Sequence, residues 1–211
     1  MPAYIFQPDN VFREAVPLEF LENTVQILCD CYVQAYQDCL KYPKSERHDL
    51  RPHVRRGLFE WQWREHAQSY EELSADPIGN VRKTAFHTEI KCGPIILVES
   101  FVDTPTTIVR PALFRETLTM RYQPLFREQD EQVEESLFAI LLHGAADART
   151  PAFAHIAFPL RDEKGYHENR VDLFAWFSEI VASKSSFQEE LVADEIEPEL
   201  RKDVPNVGGV S

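Results

Sequence analysis

His87, Glu89 and Lys91 are the chain's best-placed group of chemically able side chains, because they recur at a spacing of two residues. In an extended strand successive side chains point to opposite faces, so these three stand in a row while Phe86, Thr88 and Ile90 occupy the other side. A row of imidazole, carboxylate and ammonium offers two kinds of chemistry. His87 and Glu89 can supply two zinc ligands from one face, with His143 or His155 completing the set. Glu89 and Lys91 can instead serve phosphoryl chemistry, in which a carboxylate carries a divalent ion and a lysine tends the attacking water.

The second option has a named counterpart. Glu89-Ile90-Lys91 resembles the Glu-x-Lys half of the PD-(D/E)xK nuclease signature. The resemblance implies Mg²⁺ on Glu89, Lys91 orienting or activating water, and an upstream acid, Asp76, or else Glu99, as second ligand. Two demands weigh against it: two converging carboxylates and a positive approach for the substrate. Asp76 precedes Pro77 in what reads as a loop. His87-x-Glu89 is similar to half of the zinc deaminase motif, but the downstream Pro-Cys-x-x-Cys is missing. Cysteine-nucleophile catalysis at Cys92 would need a nearby histidine, and His87 points to the opposite side of the same strand. The chain has no Gly-x-Ser-x-Gly elbow, P-loop or dinucleotide glycine pattern, and seven glycines leave little material for phosphate cradles.

The elements that must position these residues follow from periodicity. Thr84–Val102 is a strand, a Gly93-Pro94 break and a second strand, hence a hairpin. Before it, Leu21, Val25, Leu28, Tyr32, Ala35 and Cys39 make an apolar stripe on a helix from about Leu18 to Lys41. Tyr42-Pro43-Lys44-Ser45 ends that helix. A second is predicted from near Asp49, with Pro52 in its first turn and Phe59, Trp63, His66, Tyr70 and Leu73 on its inner face. The two pack as an antiparallel pair. Residues 3–7 read as a short edge strand, Gln7-Pro8-Asp9-Asn10 as a turn, and Ser74–Val81 as a loop. Pro111 and the residues after it favour a helix up to Tyr122. Leu137–His143 and Ala152–Leu160 form a second hairpin, and Val171, Phe174, Phe177, Ile180 and Val181 a C-terminal amphipathic helix. No internal repeat is visible. The sum is an α+β fold: an antiparallel sheet built from two hairpins, with the helical hairpin and the last helix packed on it. Residues 1–184 are read as a single domain and 185–211 as an acidic tail.

Thirty-five acidic against 22 basic side chains give a net charge of −13. That balance works against duplex DNA and anionic membranes as partners. The basic exception is the hinge between the first two helices, where Lys41, Lys44, Arg47, Arg51, Arg55 and Arg56 face only Glu46 and Asp49. With Trp61, which cannot share a helix face with Trp63, this island is the candidate binding surface, for an acidic protein segment ahead of nucleic acid. Cys29, Cys31, Cys39 and Cys92 read as buried, reduced thiols, and the N-terminus carries no signal-peptide pattern, so a cytoplasmic location is expected. The leading reading is a non-enzymatic acidic binding or regulatory module that masks a basic protein partner, with no cofactor. The alternative is the Mg²⁺-dependent nuclease of Asp76, Glu89 and Lys91.

Overall fold

The computed structural model describes residues 8–80, 86–122, 137–147, 149–159 and 169–183. Helix α1 (Pro8–Ala15) leads into α2 (Leu18–Cys39) and α3 (Lys44–Ala67). Strands β1 (Leu73–Gly79), β2 (Phe86–Cys92) and β3 (Ile95–Phe101) follow. Then come α4 (Leu113–Tyr122), β4 (Leu137–Ala145), β5 (Pro151–Ala157), β6 (Arg170–Asp172) and α5 (Leu173–Trp176), with further helical residues from 178 to 183. The fold is α+β. Among the described residues the sheet has six strands in sequence order, antiparallel throughout except where β3 and β4 run parallel.

The apolar stripe of α2 does what its spacing predicts: Leu21, Val25, Leu28, Tyr32, Ala35 and Cys39 are all buried. Arg47 secures the hinge to α3 by donating to the carbonyl of Leu40, the C-cap of α2, at 2.6 Å and to that of Tyr42 in the connection at 2.8 Å. On the facing helix Trp63 is fully buried and Trp61 is 52% exposed, as two residues apart on one helix require. The Trp63 indole donates to Thr24 Oγ1 at 3.0 Å, and Thr24 in turn donates to the Phe20 carbonyl at 2.8 Å. Residues of alternate parity divide the sheet between two cores. Ile95, Leu97, Leu137, Ala139 and Leu141 pack with α2 and α3, whereas Ile96, Val98, Phe138, Ile140 and Leu142 pack with Val109 and Leu118 on the other face.

Several boundaries differ from the sequence reading, each for a local reason. Pro8 opens a helix instead of a turn, since proline's missing N–H costs nothing in a first turn. Helix α3 starts at Lys44, not near Asp49, so Pro52 lies inside it. Residue 52 is exposed, and the ring is carried on the outer side of a helix anchored by Arg55, Phe59, Trp63 and Ala67. The expected loop over 74–81 contains β1, an edge strand on which Pro77 is tolerated. The sheet is therefore larger than two hairpins. The C-terminal segment enters as β6, and Asp172 caps the following turn by accepting from the N–H groups of Phe174 and Ala175. The strand expected over 3–7 and the acidic tail over 185–211 lie outside the described residues.

Gly144 marks the tightest joint. A Cβ there would sit 2.5 Å from a Phe153 ring carbon and 2.5 Å from the Val102 carbonyl oxygen, beside the irregularity in the β4–β5 register. Gly144→Ala is expected to lower stability by about 1–3 kcal/mol, measured by urea denaturation.

Candidate functional site: a cleft at the β2–β3 fork

Strands β1 and β2 pair along their whole length, from Leu73 opposite Cys92 to Gly79 opposite Phe86. Strands β3 and β4 do the same from Ile95 opposite Leu137 to Phe101 opposite His143. Between β2 and β3, however, the pairing covers only Ile90–Leu97, Lys91–Ile96 and Cys92–Ile95. Beyond those three pairs the strands part, and a cavity of about 810 Å³ occupies the fork. One prong contributes His87, Glu89 and Lys91, the other Glu99 and Phe101. Arg56 reaches in from α3, and Arg110, Phe114 and Arg115 close the far side.

Each polar wall is fixed by a partner. His87 lies flat on Phe114, ring centroids 3.8 Å apart, and its Nε2 is 3.0 Å from Glu89 Oε1. Arg56 ties α3 to the start of β2 by donating to Glu60 Oε1 and to the Phe86 carbonyl, both at 2.9 Å. Glu99 is held from behind by His143 Nε2 at 2.8 Å, and His143 Nδ1 meets the Tyr32 hydroxyl at 2.9 Å. A carboxylate only accepts, so in the neutral ring Nε2 carries the proton and Nδ1 accepts from Tyr32. Tyr32, His143 and Glu99 are all buried. Burial pushes the Tyr32 phenol well above its usual range, which leaves it a hydroxyl donor and not a nucleophile.

The Glu60 carboxyl is also pushed up, first by burial and then by the neighbouring charge of Glu99, with Arg56 pulling the other way. A carboxyl raised on folding favours the folded state at acid pH, and that contribution is lost as pH rises through the raised value. The Glu60→Gln variant is therefore expected to gain on the wild type in thermal stability as pH goes from 4 to 7. A constant difference across that range would contradict the assignment.

The residues singled out by sequence are distributed as follows. His87, Glu89 and Lys91 share a face and line the cleft. Asp76 sits on a strand directly opposite Glu89, but is exposed. His143 does not join His87 and Glu89, since it packs toward α2 with Tyr32. His155 is taken up beside Asp172, Nε2 to Oδ2 3.9 Å. Among the described residues no group of three or more His, Cys, Asp or Glu side chains is arranged to hold a metal ion. The Cys92 thiol donates to the Ala15 carbonyl at 2.7 Å, and burial pushes it up, away from thiolate chemistry. All four cysteines are buried. The basic island is sorted by the fold: Lys44 is exposed, Arg47 caps α2, Arg56 enters the cleft, and Arg51 and Arg55 turn toward tyrosines of α2.

Sequence reasoning missed Tyr32 and Glu60, and also Arg110 and Arg115. Tyr32 and His143 are 111 positions apart, and only the parallel β3–β4 register brings His143 beside Glu99. No family model, curated protein or solved structure matches the chain. No helix among the described residues is long and apolar enough to cross a membrane.

Proposed function

We propose that the chain acts through the fork cleft by binding an anionic small molecule that joins a phosphate to a flat ring, a nucleotide being the type. The observation that carries this reading is the convergence of Lys91, Arg110 and Arg115 on one cavity in a protein of net charge −13. Among the described residues none of the three forms an ion pair, so their charges are available to a ligand. Phe86 and Phe101, 52% and 39% exposed, add apolar ring faces on the cavity wall, and stacking there does not depend on which base is present. Glu99, braced by His143, supplies an acceptor for a ring N–H or a hydroxyl.

Two other readings remain as proposals, each with one supporting feature. The position of Asp76 opposite Glu89 favours the Mg²⁺-dependent nuclease, because magnesium is held by one or two carboxylates together with phosphate oxygens of the substrate. The half-exposed Trp61 on α3 favours an acidic module that grips a basic protein.

Calorimetric titration of the full chain with adenosine monophosphate and inorganic phosphate tests the cleft. Arg115→Gln and Lys91→Gln are each expected to weaken nucleotide binding about 10-fold or more, the worth of one charge-assisted hydrogen bond. Glu89→Gln is expected to spare binding. If bis-p-nitrophenyl phosphate is cleaved with Mg²⁺ and Glu89→Gln abolishes that cleavage, the nuclease reading gains. Absence of saturable heat with the mononucleotide would remove the binding proposal.

A further inference from the structure

The fork cleft has two chemically different ends, and strand parity sorts them. Phe86 on β2 and Glu99 and Phe101 on β3 share the face of Ile90, Ile95 and Leu97, which pack toward α2 and α3. His87, Glu89 and Lys91 point the other way, and His87 lies on Phe114 of α4. Arg115 lies 4.9 Å over that same Phe114 ring, so the cations Lys91 and Arg115 gather on the α4 side. Lys91 is paired with Ile96, and Glu99 stands three residues further along β3, about 10 Å at about 3.3 Å per residue. A mononucleotide covers such a span between its phosphate and the far edge of its base.

The end away from Lys91 holds a carboxylate. Glu99 Oε1 accepts from His143 Nε2 at 2.8 Å, while Oε2 meets no donor among the described residues and is not shut off from water. Glu99 lines the cavity, so that oxygen opens onto it. Each carboxylate oxygen has two acceptor sites, so Oε1 keeps one as well. Among the described residues Glu99 forms no ion pair with Arg56 or Arg115, although both sense its charge. A nearly buried carboxylate repels an anionic ligand and is costly to desolvate, unless that ligand brings donors to it. Two residues along, Arg55 backs the Phe101 ring at 4.4 Å, and the ring is still 39% exposed.

We propose, resting on the nucleotide reading of the cleft, that the base it takes is guanine and that Glu99 reads it. The Watson–Crick edge of guanine carries two adjacent donors, N1–H and the 2-amino group, which suit the acceptors of one carboxylate. Adenine sets the lone pair of its N1 against that carboxylate, and hypoxanthine keeps N1–H but lacks the amino group. A site built around a buried acceptor rejects the analogue that leaves it unpaired. The phosphate goes to Lys91 and Arg115, and the base stacks on Phe101.

The test is calorimetric titration of the full chain with guanosine, inosine and adenosine monophosphates at one ionic strength. The guanosine nucleotide is expected to bind about 10-fold tighter than the inosine one, which lacks one charge-assisted hydrogen bond, and about 100-fold tighter than the adenosine one, which lacks both. Glu99→Gln keeps an oxygen for His143 and turns an amide NH₂ toward the base. In that variant the guanosine nucleotide is expected to lose about 10-fold or more and the adenosine one nothing. N1-methylguanosine monophosphate, which has no N1 donor, makes the same test on the unmutated chain and is expected to bind about 10-fold more weakly than its parent. Lys91→Gln is expected to weaken all the nucleotides alike and keep their order. Equal affinities, adenosine ahead, or an order unchanged by Glu99→Gln would each overturn the guanine assignment and leave the cleft reading standing. No saturable heat with any of the nucleotides overturns both.

Discussion

His143→Leu is expected to cost about 3–5 kcal/mol of folding stability, the scale for leaving a buried charged group without its hydrogen-bond partner. The imidazole has two hydrogen-bond obligations, 2.8 Å to Glu99 and 2.9 Å to Tyr32, and leucine meets neither. Glu99 would stay buried with its charge unanswered, while the Tyr32 hydroxyl would lose its acceptor. Tyr32→Phe removes the milder of the two obligations and is expected to cost about 1–2 kcal/mol, since the ring and its contact with Arg55 remain. Urea denaturation of both single variants and of the double variant separates these contributions. If the double variant costs no more than His143→Leu alone, the three groups act as one unit. If His143→Leu unfolds no more easily than the wild type, the hydrogen-bonded chain is not what holds Glu99 at the cleft.

Trp63→Ala should be about as damaging, at roughly 3–5 kcal/mol, but through a different cause. The indole is wholly buried between Phe20, at 6.4 Å between ring centroids, and Phe59, at 5.3 Å. Its removal leaves a cavity where α2 and α3 meet and strips Thr24 of its donor. Trp63→Phe keeps most of the volume and is expected to recover more than half of the loss. Trp61→Ala, two residues away and half-exposed, is expected to change stability by under about 0.5 kcal/mol. Equal effects at 61 and 63 would contradict the orientation of the helix.

The contrast between these two tryptophans was legible from spacing alone, as was the stripe Leu21, Val25, Leu28, Tyr32, Ala35 and Cys39 on α2. Periodicity reports which face of an element is buried, and it did so for α2; for both hairpins and the helix before Tyr122 it gave the element but not its face, since Phe86 and Leu113 are exposed and β4 is buried on both sides. It failed at β1, where Pro77, Gly79 and Asn80 carry a loop composition that an edge strand accepts. It also failed at Pro52, because packing of the rest of α3 outweighs one missing backbone hydrogen bond. The row His87, Glu89 and Lys91 could be read as one face, but not the divergence of β2 from β3 that turns that face into a wall of a cavity. Nor could the partners of Glu99 be read, for they come from α2 and β4 through contacts that no local pattern announces.

The parallel seam between β3 and β4 also divides the order in which the molecule can assemble. Everything from α2 to β3 closes through neighbours in sequence, whereas β4 must come back across some 35 intervening positions before its backbone finds an edge. Until it does, Ile95 to Phe101 present a bare, largely apolar rim, the kind of surface on which chains adhere to one another. Yield on refolding should therefore fall as protein concentration rises, and a nascent chain on the ribosome gains no cover for that rim until β4 has emerged.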